Sequence, residues 1–344
     1  MTSPDSGSTD SPDASPQAQG SPDDQRSRTD PMDEATHRLR PSRILISQAA
    51  DALPTIGVAS DVGMRHPTNQ DYLAVDVDKD ARHVVIVVAD GVSSTEGAEQ
   101  AAEVAATTAC QYLTACLAQG LPPADDAVVS LFGHAVRRAH RAVLDHPGPR
   151  GIGACTLVAA ICSPDRVLAA NIGDTRAYWF PSSGKERRLT VDDSVAQAQI
   201  DLGMPREEAE SGAGAHAITK WLGARAADLD PRVHAYSPRI PGWVMICSDG
   251  LWNHVPDPSD LAKVFWDFVA KAPAGPDGRP DPNRVADALA DYANACGGYD
   301  NVTIALWRLD EVPAGTTPPD PPALEQTAPA QTAAAQTQVG PPSE

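Results

Sequence analysis

Clustered basic residues are scarce in this sequence. Its 344 residues carry 27 Lys and Arg against 46 Asp and Glu, a formal net charge of −19 at pH 7. Neutralising nucleic-acid phosphates takes grouped Lys and Arg, so a broad nucleic-acid surface is excluded and docking on acidic membranes is disfavoured. No apolar run approaches the ~20 residues that cross a bilayer, and the N-terminus shows neither the basic region nor the apolar core of a secretory leader. A cytoplasmic protein without a membrane partner is expected, with a monomer as the default. The six Cys (110, 116, 155, 162, 247 and 296) include no Cys-x-x-Cys pair, and most sit within apolar runs. That argues against zinc and disulfides and for buried, reduced thiols.

Large apolar side chains are nearly missing from both ends. Ser, Pro, Asp, Gly and Gln crowd the first ~40 residues, a composition that cannot offset the entropy of ordering. Residues 1–50 are assigned to a disordered tail. Residues 313–344, rich in Pro, Ala, Gln and Thr, are read as a second one. Between them, 51–312 forms one domain of roughly 260 residues, near the upper end of the single-domain range. The chain is 42% apolar, enough for a proper core.

What the middle does contain is organised around Val84-Val85-Ile86-Val87-Val88-Ala89-Asp90-Gly91. Six small or β-branched apolar residues in a row predict a strand buried on both faces. Trp243 to Ser248 is a second apolar strand, and it too runs into Asp-Gly, at Asp249-Gly250. Asp300-Asn301 precedes a third, Val302 to Trp307. Further strands are predicted at Thr55–Ser60, Tyr72–Val77, Cys155–Ile161, Arg166–Asn171 and Thr175–Phe180, the last three close-set enough to pair antiparallel. Helical spacing marks Gly97–Leu117, Ala124–Leu144 with Arg137, Arg138 and Arg141 on its outer face, Ser259–Ala270 and Asn283–Cys296. Short helices are expected between Thr190 and Leu222, capped near Asp192–Ser194. Strands in runs and helices in pairs predict a layered α+β fold.

Asp residues far apart in sequence and placed at strand edges can converge only in a folded centre. Three carboxylates held together without cations are costly, and oxygen ligands suit the hard ions Mg²⁺ and Mn²⁺. Phosphate monoesters resist hydrolysis because water is a poor nucleophile and the phosphoryl group is already negative; two divalent ions answer both difficulties.

These elements, taken in order, resemble the type 2C metal-dependent protein serine/threonine phosphatases, the PPM family. Asp61-Val62-Gly63-Met64-Arg65 with Asn69-Gln70-Asp71 looks like the opening motif. Asp90-Gly91, Gly153-Ala154-Cys155-Thr156-Leu157, Gly173-Asp174-Thr175-Arg176, Leu189-Thr190, Ser248-Asp249-Gly250-Leu251 and Asp300-Asn301 look like the later ones. The resemblance, from about Ile56 to Leu309, implies a four-layer α/β/β/α sandwich of two antiparallel sheets between helix pairs. It implies that Asp90 bridges two Mn²⁺ or Mg²⁺ ions, that Asp249 and Asp300 complete one site, and that Asp71 and the Gly91 carbonyl serve the other. Asp174 resembles a ligand of a third, weaker ion. Arg65 sits where the family binds phosphate, and residues 188–223 correspond to its flap. Phosphoserine and phosphothreonine proteins are the implied substrates. The high Ala, Arg, Asp and Pro content suggests a high-GC bacterium, where such an enzyme would oppose Ser/Thr kinases acting on those proteins.

Other residues have plainer readings. Asp61, Asp165 and Asp192 suit turns or caps, and Asp71 could be a turn residue as well. Asn69 is expected to fix its loop and Trp221 to anchor packing. Two departures from the family stand out. Val92-Ser93-Ser94-Thr95 follows Asp90-Gly91, where many members have Met or His and then Gly-Gly, so a metal-bound water is the expected proton donor, with the loop residue His66 a lesser candidate. Asp192-Asp193-Ser194 stands where Asp-His-Ser is frequent. Two other classes stay open: a pseudophosphatase that binds phosphoproteins without turnover, against which the full set of Asp residues argues, and a two-metal nuclease, for which the acidic surface has the wrong sign.

Overall fold

The computed structural model describes residues 43–313. In chain order these form β1 (Ile44–Ile46), α1 (Gln48–Asp51), β2 (Ile56–Asp61), β3 (Tyr72–Val77), β4 (Val84–Ala89), α2 (Ala98–Leu117), α3 (Asp125–Asp145), β5 (Ala154–Cys155), β6 (Leu157–Cys162), β7 (Val167–Ile172) and β8 (Arg176–Pro181). There follow β9 (Arg187–Arg188), α4 (Val195–Asp201), α5 (Arg206–Ser211), β10 (Leu222–Gly223), β11 (Arg232–Tyr236), β12 (Gly242–Cys247), α6 (Asp249–Trp252), α7 (Pro258–Lys271), α8 (Pro282–Ala295) and β13 (Val302–Leu309). One main sheet has the order β1-β3-β4-β6-β7-β11 and the other β2-β13-β12-β8-β9.

The unbroken apolar runs follow from having a core on each face of each sheet. Along β4, Val85, Val87 and Ala89 face α2 and α3, while Val84, Ile86 and Val88 face the second sheet. Along β12, Val244 and Ile246 meet the first sheet, while Trp243, Met245 and Cys247 meet α7 and α8. Strand side chains alternate in direction, so a strand sandwiched between two layers must be apolar at every position. The layers therefore run helix pair, sheet, sheet, helix pair, as the α+β reading expects. Both outer helices of the second pair start alike: Asp257 and Asp281 accept hydrogen bonds from the first turns of α7 and α8, each with Pro at the next position,. Among the described residues no helix is long and apolar enough to cross a membrane.

Three expectations are corrected or refined, and one strand was not expected. Residues 43–50, assigned to the N-terminal tail, belong to the domain: β1 pairs with β3 and Arg43 is buried. A three-residue apolar run, Ile44-Leu45-Ile46, is too short to stand out from its polar surroundings. The β1–β3 pairing is parallel, so the first sheet is not wholly antiparallel. The strand predicted over Cys155–Ile161 breaks at Thr156, with β5 on its near side pairing β10 and β6 pairing β4 and β7. Strand β11, Arg-Val-His-Ala-Tyr, escapes periodicity because only Val233 in it is fully buried. The expected tails at 1–42 and 314–344 lie outside the described residues.

Candidate active site

Five carboxylates gather at one end of the sandwich, and both sheets supply them. Asp71 immediately precedes β3 and Asp90 immediately follows β4, in the first sheet. Asp249 follows β12 by two residues and Asp300 precedes β13 by two, in the second. Asp174 lies in the tight turn that carries the chain from β7 in one sheet to β8 in the other. The glycines after Asp90 and Asp249 are forced by backbone contact. A Cβ on Gly250 would stand 2.0 Å from the Asn301 carbonyl oxygen, and one on Gly91 2.8 Å from that of Gln70,.

The carboxylates are close enough to disturb one another. Burial, opposed by the neighbouring Ser248 and Thr303 side chains and reinforced by Asp249 and Asp300, pushes Asp71 up to about 7. Burial with Asp249 and Asp192 nearby pushes Asp174 up to about 8. Asp90 is raised well above the carboxylate range by burial and then by Asp71, Asp249, Asp174 and Asp300. Asp249 is raised to about 6 by burial and Asp300, with the Asp90 side chain, Asn253 and Arg176 acting in the other direction,. One buried oxygen, Asp71 Oδ1, has no hydrogen-bond partner, although Ser248 Oγ donates to Oδ2 at 2.7 Å.

This donor chemistry fits hard divalent cations. All five groups offer oxygen, their common sign calls for positive charge, and Asp71 Oδ1 is a buried acceptor in want of a partner. The side chains converge without closing on a point: no three His, Cys, Asp or Glu among the described residues already form a coordinating group.

A laced pair of loops holds the mouth of the site. Asn301 donates from Nδ2 to the carbonyls of Val62 and Thr68 and accepts from the Gln70 amide at 2.7 Å. The Met64 amide donates to the Gly298 carbonyl. Arg65, on the first loop, is exposed and lays its guanidinium 3.8 Å from the ring centre of Tyr299, on the second. His66 Nε2 stands 3.4 Å from Asp300 Oδ1. Asn69 does fix the loop, accepting from the Asp71 amide and donating to Ser60 Oγ.

The flap expected at 188–223 contains α4 and α5 around a small cluster of Ala196, Ala209 and Ala215. Its root is tied beneath the site. Asp192, expected as a cap, instead forms a buried bidentate pair with Arg176, whose guanidinium also lies 3.5 Å from the Trp252 ring centre. Ser194 is the cap of α4, accepting from Gln197 N. Asp193 accepts from the Gly173 amide and pairs with Arg232. Trp252 Nε1 donates to the Asp174 carbonyl at 3.0 Å. Trp221 is only half-buried, with its indole N–H on the Ala224 carbonyl.

Arg43, Ser248, Trp252 and Tyr299 were not singled out from the sequence. Arg43 Nε donates to the Asp71 carbonyl at 2.9 Å and another arm reaches the Glu99 carbonyl, binding Asp71 to α2. Its one signal is a place immediately before a short apolar run. Ser248 sits inside the quoted Ser-Asp-Gly-Leu motif, where its hydroxyl orients a carboxylate 177 residues earlier.

The profile of protein phosphatase 2C matches residues 65–290. Protein phosphatase PhpP of Streptococcus pneumoniae is 26% identical over 262 residues, 74% of this chain and 98% of its own length. The S. agalactiae serine/threonine phosphatase superposes with a TM-score of 0.58 at 22% identity, covering 73% of this chain and 97% of that one. The catalytic domain of serine threonine protein phosphatase PstP, solved in complex with two manganese ions, superposes with a TM-score of 0.52 at 23% identity, covering 74% and 98%. A profile match across most of the chain agrees with the doubled sandwich and the carboxylates at its edge: the chain belongs to the protein phosphatase 2C family and is a protein serine/threonine phosphatase.

Proposed function

We propose that this phosphatase hydrolyses phosphoserine and phosphothreonine in proteins with two divalent cations, Mn²⁺ or Mg²⁺, held by Asp71, Asp90, Gly91, Asp249 and Asp300, and a third, weaker ion at Asp174. The observation that carries the reading is the convergence of carboxylates from both sheets on a place where they raise one another's pKa, with Arg176 the one cationic side chain that offsets this, at Asp174 and Asp249. The manganese ions of the PstP catalytic domain support the same choice of metal.

Bound there, the cations would shield phosphoryl charge and acidify a water for attack at phosphorus. The chain's own residues do the rest. Ser248 and Arg43 fix Asp71 from the side chain and the backbone, and Asn253 Nδ2 donates to Asp249 Oδ2 at 3.0 Å, so two of the proposed ligands are oriented before anything binds,. Arg65 presents its in-plane N–H groups at the exposed mouth, where a planar fork can take two phosphoryl oxygens and follow the charge into the transition state. His66, beside Asp300, is the nearest imidazole on that loop and the side-chain candidate for protonating the leaving alkoxide,. Phosphorylated Ser/Thr kinases and their targets are the proposed substrates, and the cytoplasm the proposed place of action.

The test compares Asp249→Asn with Arg65→Ala on p-nitrophenyl phosphate and a phosphothreonine peptide, with Mn²⁺ and after EDTA. The parent should be silent in EDTA. Asp249→Asn should weaken Mn²⁺ binding and turnover together, while Arg65→Ala should keep Mn²⁺ binding and lose roughly 2 to 4 kcal/mol in kcat/KM. Full activity of the parent after exhaustive chelation would refute the metal assignment. Substrate binding without turnover under Mn²⁺ would make the protein a phosphoprotein-binding module instead.

A further inference from the structure

Arg65 has to offer its edge to a phosphoryl group, yet it is exposed and sits on a loop, and a long free side chain there would sample many rotamers. The structure gives its guanidinium a platform. Arg65 Cζ lies over the Tyr299 ring, 3.8 Å from its centre, a separation short enough to suit a guanidinium stacked face to face with the ring, and the His254 imidazole stacks on the same ring with centroids 5.7 Å apart and planes 27° from parallel. The ring is held in turn by the backbone beneath it. Gly297 and Gly298 take φ of 129° and 51°, and a Cβ on Gly297 would come within 2.6 Å of Tyr299 Cε2. Any residue larger than Gly at 297, besides being strained at this positive φ, would force the ring to shift. The Met64–Gly298 hydrogen bond and the Asn301 contacts described above fix the loop of Arg65 against the loop of Tyr299.

We propose that Tyr299 is a positioning residue for phosphate recognition: it holds the Arg65 guanidinium by its face and leaves the in-plane donors free for the phosphoryl oxygens. Stacking uses the π faces of both groups, whereas bidentate hydrogen bonding uses the edge of the guanidinium, so the two contacts do not compete. Tyr299 remains 52% exposed, so the platform stands at the open rim, where it can meet incoming substrate without being part of the core. The inference rests on the reading of Arg65 as the phosphate-binding residue.

The experiment is a double-mutant cycle in saturating Mn²⁺, with initial rates on p-nitrophenyl phosphate and a phosphothreonine peptide. Tyr299→Ala, Tyr299→Leu and Tyr299→Phe are each made alone and together with Arg65→Ala. Loss of an exposed cation–π contact should lower kcat/KM about two- to fivefold in the Ala and Leu variants, chiefly through KM. Tyr299→Phe, which keeps the ring, should restore most of the loss. In the Arg65→Ala background the ring substitutions should change nothing, and the Mn²⁺ dependence should match the parent throughout. Tyr299→Leu keeps side-chain bulk, so a loss seen only in an unstable Ala variant and not in a folded Leu variant would overturn the proposal. A loss that persists without Arg65, or an Arg65→Ala defect unaccompanied by any Tyr299→Ala defect, would overturn it too. If Arg65→Ala itself were silent, the phosphate reading of Arg65 would fall and Tyr299 would fall with it.

Discussion

Replacing Asp71 by Asn should stabilise the metal-free protein at alkaline pH, although it removes a proposed metal ligand. Asp71 is buried, its Oδ1 lacks a partner, and its pKa rises from an ordinary 3.8 to about 7 through burial first and then Asp249 and Asp300. At 1.36 kcal/mol per pKa unit this corresponds to about 4 kcal/mol against the ionised form in the folded chain. The sign follows from proton counting. Between the two pKa values the folded state holds a proton that the unfolded chain has lost, so stability falls as pH rises through that window and the penalty is complete above about 7,. Asn carries no charge and escapes it, while its amide N–H groups, short of acceptors, give back ~1–2 kcal/mol. A net gain of ~2–3 kcal/mol would raise Tm by roughly 5 to 10 °C in a domain of this size. Scanning calorimetry in EDTA at pH 8 and pH 4.5 should show that gain at the first pH and its disappearance at the second. Excess Mn²⁺ at pH 8 should raise the parent's Tm well above that of Asp71→Asn. An Asn variant that melts below the parent at pH 8 in EDTA would refute the repulsion argument.

Two further outcomes test the supports of the site. Asp192→Ala leaves the buried Arg176 guanidinium without its bidentate partner and should cost ~3–5 kcal/mol in urea unfolding, with part of the loss recovered by adding Arg176→Met, since an apolar side chain over Trp252 no longer needs a counter-charge,. Deleting residues 1–42 should leave Tm within about 2 °C of the parent, whereas deleting 1–51 removes β1, α1 and the Arg43 contacts to Asp71 and should lower both Tm and Mn²⁺ affinity,.

Much of this architecture was legible because the sandwich imposes a strong signature. Strands packed on both faces read as solid apolar runs, so β4, β12 and β13 were visible with their acidic ends, while Asp71 joined Asp90, Asp249 and Asp300 among the ligand candidates only through the family resemblance. The illegible parts are those whose partners are distant in sequence. Nothing local marks Arg43 as a buttress of Asp71, because its contacts are Asp71, Glu99 and Glu103 and its own surroundings are polar. Asp192 sits three residues before a helix, where a capping role is the ordinary expectation, and its partner Arg176 lies sixteen residues back across a strand. Tyr299 stands between Gly-Gly and Asp-Asn, and its use as a platform depends on Arg65, brought beside it by Asn301.

The carboxylates are divided between the sheets: Asp71 and Asp90 move with one, Asp249 and Asp300 with the other, and Asp174 rides the turn between them. Their spacing therefore depends on the gap between the two sheets. That gap is filled by Val58, Val88, Val158, Val244, Ile246 and Ala305, all buried and none of them one of the site carboxylates. A side chain that shims or thins this apolar layer would tilt one sheet against the other and detune the pair-wise distances at the rim, leaving each sheet internally intact. If the proposed cations bind there, their affinity would act as a strain gauge for the hydrophobic interior. Core and site form a single mechanical object, and natural variation in the layer between the sheets is free to tune the chemistry without touching any residue that performs it.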